Sequence, residues 1–511
     1  MQSLLRKELI EGERSPFAGD DAFRFSHILV RNAAYESMPK RTRADLHARF
    51  ASWLDRAAGA RSSEYEEIVG YHLEQAYRLR AELGPVDEVG HAFARRAGER
   101  LAHAGSRAFS RGDMPAAANL LDRAASLLPA RDRARLRLLP DLAVAFQEAG
   151  QLERASALFE EAIEAAAEVG DASLGSRATV RRLRLHAQTD PGASMRADLK
   201  GCEHELQVLV ALGDEGGLAE AWYVVGVIRG WLGRHASAEE ALKRSIEHAK
   251  RTGDPRQERE SLAWLVNPIW LGPEEAERGI RRLAEIFDLD LGKHKAGAYA
   301  LAAWAHLAAM RGRFEEARRL AGQSRSIYEE LGLRMDMAVM VAYSSGNVEM
   351  LAGDPARAEA ELRWGYDILE RMGEKGYLST VAAVLSHALC AQGRWDEASM
   401  FTEISEEAAS AEDVLSQVPW RGARARVLAS RDAFEDAERL ARQAIELARP
   451  TDFLDLHANA LMDLAEVTRL ANRPDEYAAS LRQAIGLFER KGNTVMASRA
   501  KTLLEEPGAK G

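Results

Sequence analysis

Chemistry in this chain would have to come from scattered side chains, and their spacing argues against most of it. Thirteen histidines could ligate a metal or move protons, but no two stand four residues apart on one helical face. Glu203-His204-Glu205 sets its groups on different faces, so a solvated helix surface explains these residues better than a metal or catalytic cluster. Gly292-Lys293 is followed by His294 and lacks the earlier glycine of a phosphate-binding loop. No GxGxxG, HExxH, GxSxG or kinase signature occurs, so no enzyme activity, cofactor or resident metal is expected. Cys202 and Cys390 are the only cysteines and form no CxxC; a reducing cytoplasm fits them.

The bulk numbers narrow the partners. A net charge of −10 gives no basic field for nucleic acid or an anionic membrane. The basic runs 40–43, 131–137 and 181–184 are interleaved with leucine, alanine or acids and read as solvated faces. Hydrophobic residues at 46% and charged residues at 29% describe a packed, soluble chain, and only 15 prolines favour helix. The start, MQSLLRKELIEGERS, lacks the apolar core of a signal peptide, and no run reaches the ~18 apolar residues of a membrane span.

What could position side chains is a repeat. A glycine followed five residues later by alanine recurs at Gly112, Gly150, Gly192, Gly233, Gly312, Gly353 and Gly393, with Asp432 keeping the frame and weaker echoes at Gly272 and Asn472. Successive starts are 38, 42, 41, 39, 40, 41, 40, 39 and 40 residues apart. Glycine, asparagine and aspartate tolerate the left-handed turn between two helices. The alanine marks a close helix crossing, and a small residue seven before the turn, such as Gly105, Gly226 or Gly346, marks its counterpart.

These spacings resemble the tetratricopeptide repeat. Leu101, Gly105, Gly112, Ala117, Leu121, Ala124 and Pro129 carry the fullest match, with Trp222–Gly226 and Phe146–Phe159–Ala162 as further anchors. The period near forty is longer than the family's usual one. The resemblance implies an all-α, right-handed α-solenoid of about ten helix pairs over residues 86–505, ending in a disordered tail at 506–511.

Residues 1–85 do not follow the repeat. RKELI and DAFRFSHILV flank the breakers Ser15-Pro16 and Gly19-Asp20-Asp21, which suggests a hairpin. Helical runs follow, one with a stripe of Leu46, Phe50, Trp53, Leu54 and Ala57, another with Ile68, Val69, His72, Leu73, Ala76 and Tyr77. The string FRFSHILVRNAAYESMPKRTRADLHARFASWLD, followed by EIVGYHLEQAY, resembles the segment joining ATPase and repeat array in bacterial adenylate/guanylate cyclase-like regulators with a STAND-class ATPase. That resemblance implies a partial winged helix and an upstream ATPase or cyclase module as partner.

A solenoid lines its concave wall with the first helix of each pair. Counting back from each turn residue, the frame puts Tyr223 and Tyr343 ten residues before it; His186, His306, Asn347 and His387 six before; and Trp231, Trp270, Met310 and Leu351 two before, with Arg426 at the equivalent position of the Asp432 unit. Aromatic and hydrogen-bonding groups suit a peptide, a protein segment or a small effector. Packing between helices accounts equally well for Trp231 and Trp270. The expected function is a non-enzymatic sensor and interaction module of a signal-transduction ATPase or cyclase; the alternative is a free-standing scaffold without an ATPase partner.

Overall fold

The computed structural model describes residues 2–15, 17, 22–190, 192, 194–289 and 294–505. Pro16, Gly19, Asp20, Asp21, the Gly292-Lys293 pair and the 506–511 tail lie outside them. Among the described residues the chain forms 25 α-helices and one two-stranded antiparallel hairpin. It divides into two compact units, Met1–Ala178 and Thr179–Gly511.

In the first unit Ile10–Glu13 pairs with Ala22–Phe25, Ile10 opposite Phe25. The run DAFRFSHILV divides: after the strand, His27 caps a new helix, Ile28–Glu36, by accepting from the Leu29 N–H at 3.1 Å. The first stripe read from apolar bulk is not the face that packs. Helix Lys40–Ala58 buries Ala44, His47, Ala51, Leu54 and Ala58, while Leu46 and Phe50 stay exposed. In helix Glu66–Ala81 the stripe does mark the packed face: Val69, Leu73 and Ala76 are buried, His72 and Tyr77 half-buried, and of its members only Ile68 is exposed. Small residues decide the contact, because helices approach closest where side chains are short. At Gly70 an added Cβ would lie 2.9 Å from Leu101 Cγ.

The second unit stacks helix pairs whose turns follow the repeat frame. Gly233, Gly312, Gly353 and Gly393 have φ between 68° and 83°, and Asp432 and Asn472 adopt φ of 62° and 56°. Gly272 departs, with an extended backbone at φ −70°. The frame alanines Ala238, Ala317, Ala358, Ala398 and Ala437 are wholly buried. The small residues opposite them are tightly held: a Cβ at Gly226 or Gly346 would meet the Cγ of Leu242 or Leu362 at 2.7 and 2.6 Å.

This unit also turns back on itself. Both oxygens of Asp452 accept from the His235 and Ala236 N–H groups at 2.8 and 2.7 Å, capping helix His235–Thr252, which has no side-chain cap of its own. Glu412 accepts from the Arg196 N–H at 2.9 Å and pairs with its guanidinium at 2.7 Å. The Lys491 ammonium donates to the carbonyls of Trp270, Gly272 and Glu274 at 2.7, 2.8 and 3.0 Å, just past the end of helix Pro255–Leu271. These partners are 216 to 221 residues apart, or roughly five and a half repeats, so helices at the two ends of the unit meet along a seam.

Two expectations about solvated faces are corrected. His47, His235 and His306 are buried rather than on a wetted surface. Arg181, from one of the basic runs, is buried in a two-pronged ion pair with Glu220, its Nε and Nη2 at 2.9 and 2.8 Å from the carboxylate. In both cases a neighbouring helix supplies cover that periodicity within one helix does not register.

Candidate functional site in the second unit

Along the inner wall of this unit lie two half-open chambers that share Leu271 and Tyr343. The larger, about 1560 Å³, is lined by His306, Met310, Tyr343, Asn347, His387 and Arg426, and from the facing helix Leu454–Leu470 by Asp455, Asn459, Asp463 and Glu466. The smaller, about 1000 Å³, has Trp231, Trp264, Trp270, Tyr299, Tyr343 and Tyr377 in its walls. Trp231 meets Trp264 edge-on at 5.8 Å, and Trp270 meets Tyr343 edge-on at 5.5 Å.

Nine of the eleven groove positions named from the sequence therefore line a chamber. Tyr223 lines neither; it stacks edge-on against Trp264 at 6.5 Å and lies under the Arg184 guanidinium. His186 ion-pairs with Asp198, its Nδ1 3.0 Å from the carboxylate, and also lies away from both chambers. The two tryptophans combine both readings: each lines the small chamber and packs another ring.

Electrostatics separate the chambers. In the large one Asp463 is buried and accepts no hydrogen bond among the described residues; its nearest polar neighbours are His387 Nδ1 at 3.8 Å and the Arg426 guanidinium at 3.9 Å. His387 uses Nε2 to donate to the Pro419 carbonyl at 2.9 Å, which leaves Nδ1 as the atom facing Asp463. Burial raises the Asp463 carboxyl despite those two groups and raises Asp455 to about 6, against the pull of Lys491 and Asn493. Lys491 is pushed down to about 8 by its own burial, with Asp455 opposing. His306 accepts the Trp270 Nε1–H at its Nδ1, 3.0 Å away, and burial holds it neutral, down to about 3.

In the small chamber the carboxylates are the caps of two helices. Glu374 accepts from the Tyr377 N–H at 2.8 Å, and Asp413 from the Leu415 N–H at 3.1 Å and the Ser416 hydroxyl at 2.6 Å. Burial raises both, Asp413 to about 6.

The sequence frame stopped short of several wall residues. Tyr299 and Asn459 lie thirteen residues before Gly312 and Asn472, and Asp463 nine before Asn472. Admitting −9 beside −10 and continuing the helical face to −13 would have found them, since residues at −13, −9 or −10, −6 and −2 form one stripe. Asp413 and Lys491 left no such signal, because loop and seam contacts place them.

No family model matches the sequence, and no curated protein matches it. Solved structures do resemble the fold. A Rap protein complexed with competence and sporulation factor aligns with TM-score 0.52 and 13% identity, over 71% of this chain and 99% of that one. The Cut9–Hcn1 hetero-tetramer of the APC/C aligns at 0.49 and 12% identity, over 89% of this chain and 90% of that one. Yeast Tom70 aligns at 0.37 and 12% identity, over 92% and 99%. The chain has an all-α, tetratricopeptide-type helical-repeat fold. Among the described residues no helix is long and apolar enough to cross a membrane.

Proposed function

We propose that this chain is a non-enzymatic, cytoplasmic interaction and sensor module that holds an extended peptide or protein segment in the large chamber. One observation carries the reading: a largely buried carboxylate, Asp463, faces the large chamber with only long contacts, to Arg426 at 3.9 Å and His387 at 3.8 Å. Burying such a group costs on the order of several kcal/mol unless something completes it. In the same chamber Asn459 and the side-chain carbonyl of Asn347 offer hydrogen-bonding groups that suit a peptide backbone. His306, Met310, Tyr343, His387 and Arg426 supply the remaining wall, and Tyr223, Trp231 and Trp270 support it or its neighbour.

The proposal extends to context. Residues 1–85 form the coupling segment and 86–505 the repeat array, and the segment's resemblance to STAND-class regulators makes an adjoining ATPase or cyclase the output. Exposed Phe23, Phe25, Ile28, Leu29, Leu46 and Phe50 in that segment support a surface meant to be covered. A ligand changes such an output only if it prefers one of two conformations.

The test is direct. Screened against a random short-peptide panel, the chain should yield saturable binders, and Asp463→Ala with Asn347→Ala should weaken them at least roughly tenfold. A panel without a saturable binder overturns the reading. For the context, an ATPase frame read immediately 5′ of Met1 supports the sensor arm, and its absence favours the free-standing scaffold.

A further inference from the structure

The wall of the small chamber is dominated by aromatic rings and carries more carboxylates than cationic groups. Six aromatic rings stand in its walls, and Asp190, Glu374 and Asp413 line it against the single ammonium of Lys375. Two prolines add to this. Pro268 and Pro419 sit inside helices and have no N–H, so the carbonyls of Trp264 and Leu415, four residues earlier, lack their usual helical donor. Trp264 and Leu415 both line the chamber. Two side chains in the same wall have polar atoms without a partner: the Ser410 hydroxyl and both ring nitrogens of His235, each residue more than nine-tenths buried.

From this chemistry we infer that the small chamber is a binding site for an organic cation, its ammonium held by the aromatic walls and by Glu374 and Asp413. A positive charge is attracted to the faces of tryptophan and tyrosine, and most strongly where water is excluded. Indole and phenol rings also cover the methyl or methylene groups around the nitrogen. An anion would meet three carboxylates and ring faces of the wrong sign. A neutral apolar molecule would make no use of the Glu374 and Asp413 carboxylates, which are answered only within their helix N-termini.

The raised carboxyls agree with this occupant. Burial lifts Asp413 to about 6 and also lifts Glu374, with no cation among the causes acting on either. A bound cation would supply that charge and lower both groups. Binding should therefore tighten as pH rises from 5 to 7, where Asp413 loses its proton. His235, also in the wall, is held neutral down to about 4 and does not titrate across that window. The cation could be free in solution or carried on a lysine of a bound chain. This site is separate from the chamber around Asp463, so it stands whether or not peptides bind there.

Tryptophan fluorescence of the whole chain reads the site, through Trp231, Trp264 and Trp270. Choline chloride is the free cation, 3,3-dimethylbutan-1-ol its uncharged isostere and trilysine the chain-borne ammonium. The expected result is saturable binding of choline, trilysine or both, with choline at least about tenfold tighter than the isostere if it is the free cation that binds. Trilysine much tighter than choline identifies a side chain as the source; the reverse identifies a free ammonium. Glu374→Gln keeps the helix cap and should reduce discrimination against the isostere several-fold, as should Asp413→Asn. Equal binding of choline and isostere with no binding of trilysine overturns the inference. So does failure of both cations to bind, or discrimination unchanged in both variants. The wild-type comparison needs no variant to fold.

Discussion

The segment before the repeats and the second unit break opposite rules of burial. In the segment, large apolar residues are left in water: Leu29 is 66% exposed and Ile28 52%. In the second unit, ionisable groups are taken out of water: Lys491 is wholly buried, and Asp455 and Asp463 nearly so. Exposed apolar surface costs little in the folded chain but invites a partner. A buried charge must be answered within the fold or by a ligand. The first region is therefore a surface and the second a container, and the variants that follow separate the two.

The largest effect is expected at the seam. Lys491→Ala removes the donor shared by three carbonyls and should cost roughly 3–5 kcal/mol in chemical denaturation, with the ends of the second unit parting. A loss below 1 kcal/mol would mean that the seam does not hold the chambers closed. Next is acid sensitivity. His306 has its folded-state pKa depressed from 6.5 to about 3, so its contribution to stability is complete above 6.5 and is lost as pH falls toward 3. That amounts to a few kcal/mol, at about 1.4 kcal/mol per unit. His306→Gln, which can still accept the Trp270 N–H, should flatten the difference in stability between pH 7 and pH 4; an unchanged slope would place the acid effect elsewhere.

Third, Gly346→Ala pushes on Leu362 and should cost roughly 1–3 kcal/mol, read as a lower midpoint of thermal unfolding. A neutral result would show that the repeat packs more loosely than its frame implies. Smallest is Leu29→Ser in the N-terminal segment, expected to change stability by less than about 0.5 kcal/mol while reducing self-association in sedimentation. A large loss of stability there would make that surface part of a core.

The repeat was readable because each of its marks acts locally. Gly353 turns left-handed, Asp432 and Asn472 substitute for glycine, and Gly346 packs on Leu362 within one helix pair, all at fixed offsets. The inner wall was half readable for the same reason: Asn347 and His387 fall on the helical stripe, and Asp463 and Tyr299 lie on its continuation. The buried face of Lys40–Ala58 was misread, because apolar bulk at Leu46 and Phe50 outweighed the small residues that let helices approach.

Local spacing thus establishes a chain of forty-residue helix pairs, since turns and helix crossings depend on residues a few positions apart. It could not establish that the pairs wind tightly enough to bring Asp452 onto the His235 helix and Lys491 onto the carbonyls after Trp270. Those contacts join residues 216 to 221 positions apart, and they depend on the small angle between neighbouring pairs summed over more than five repeats. No single pair encodes that sum, and the sum is what folds an open wall into two half-open chambers.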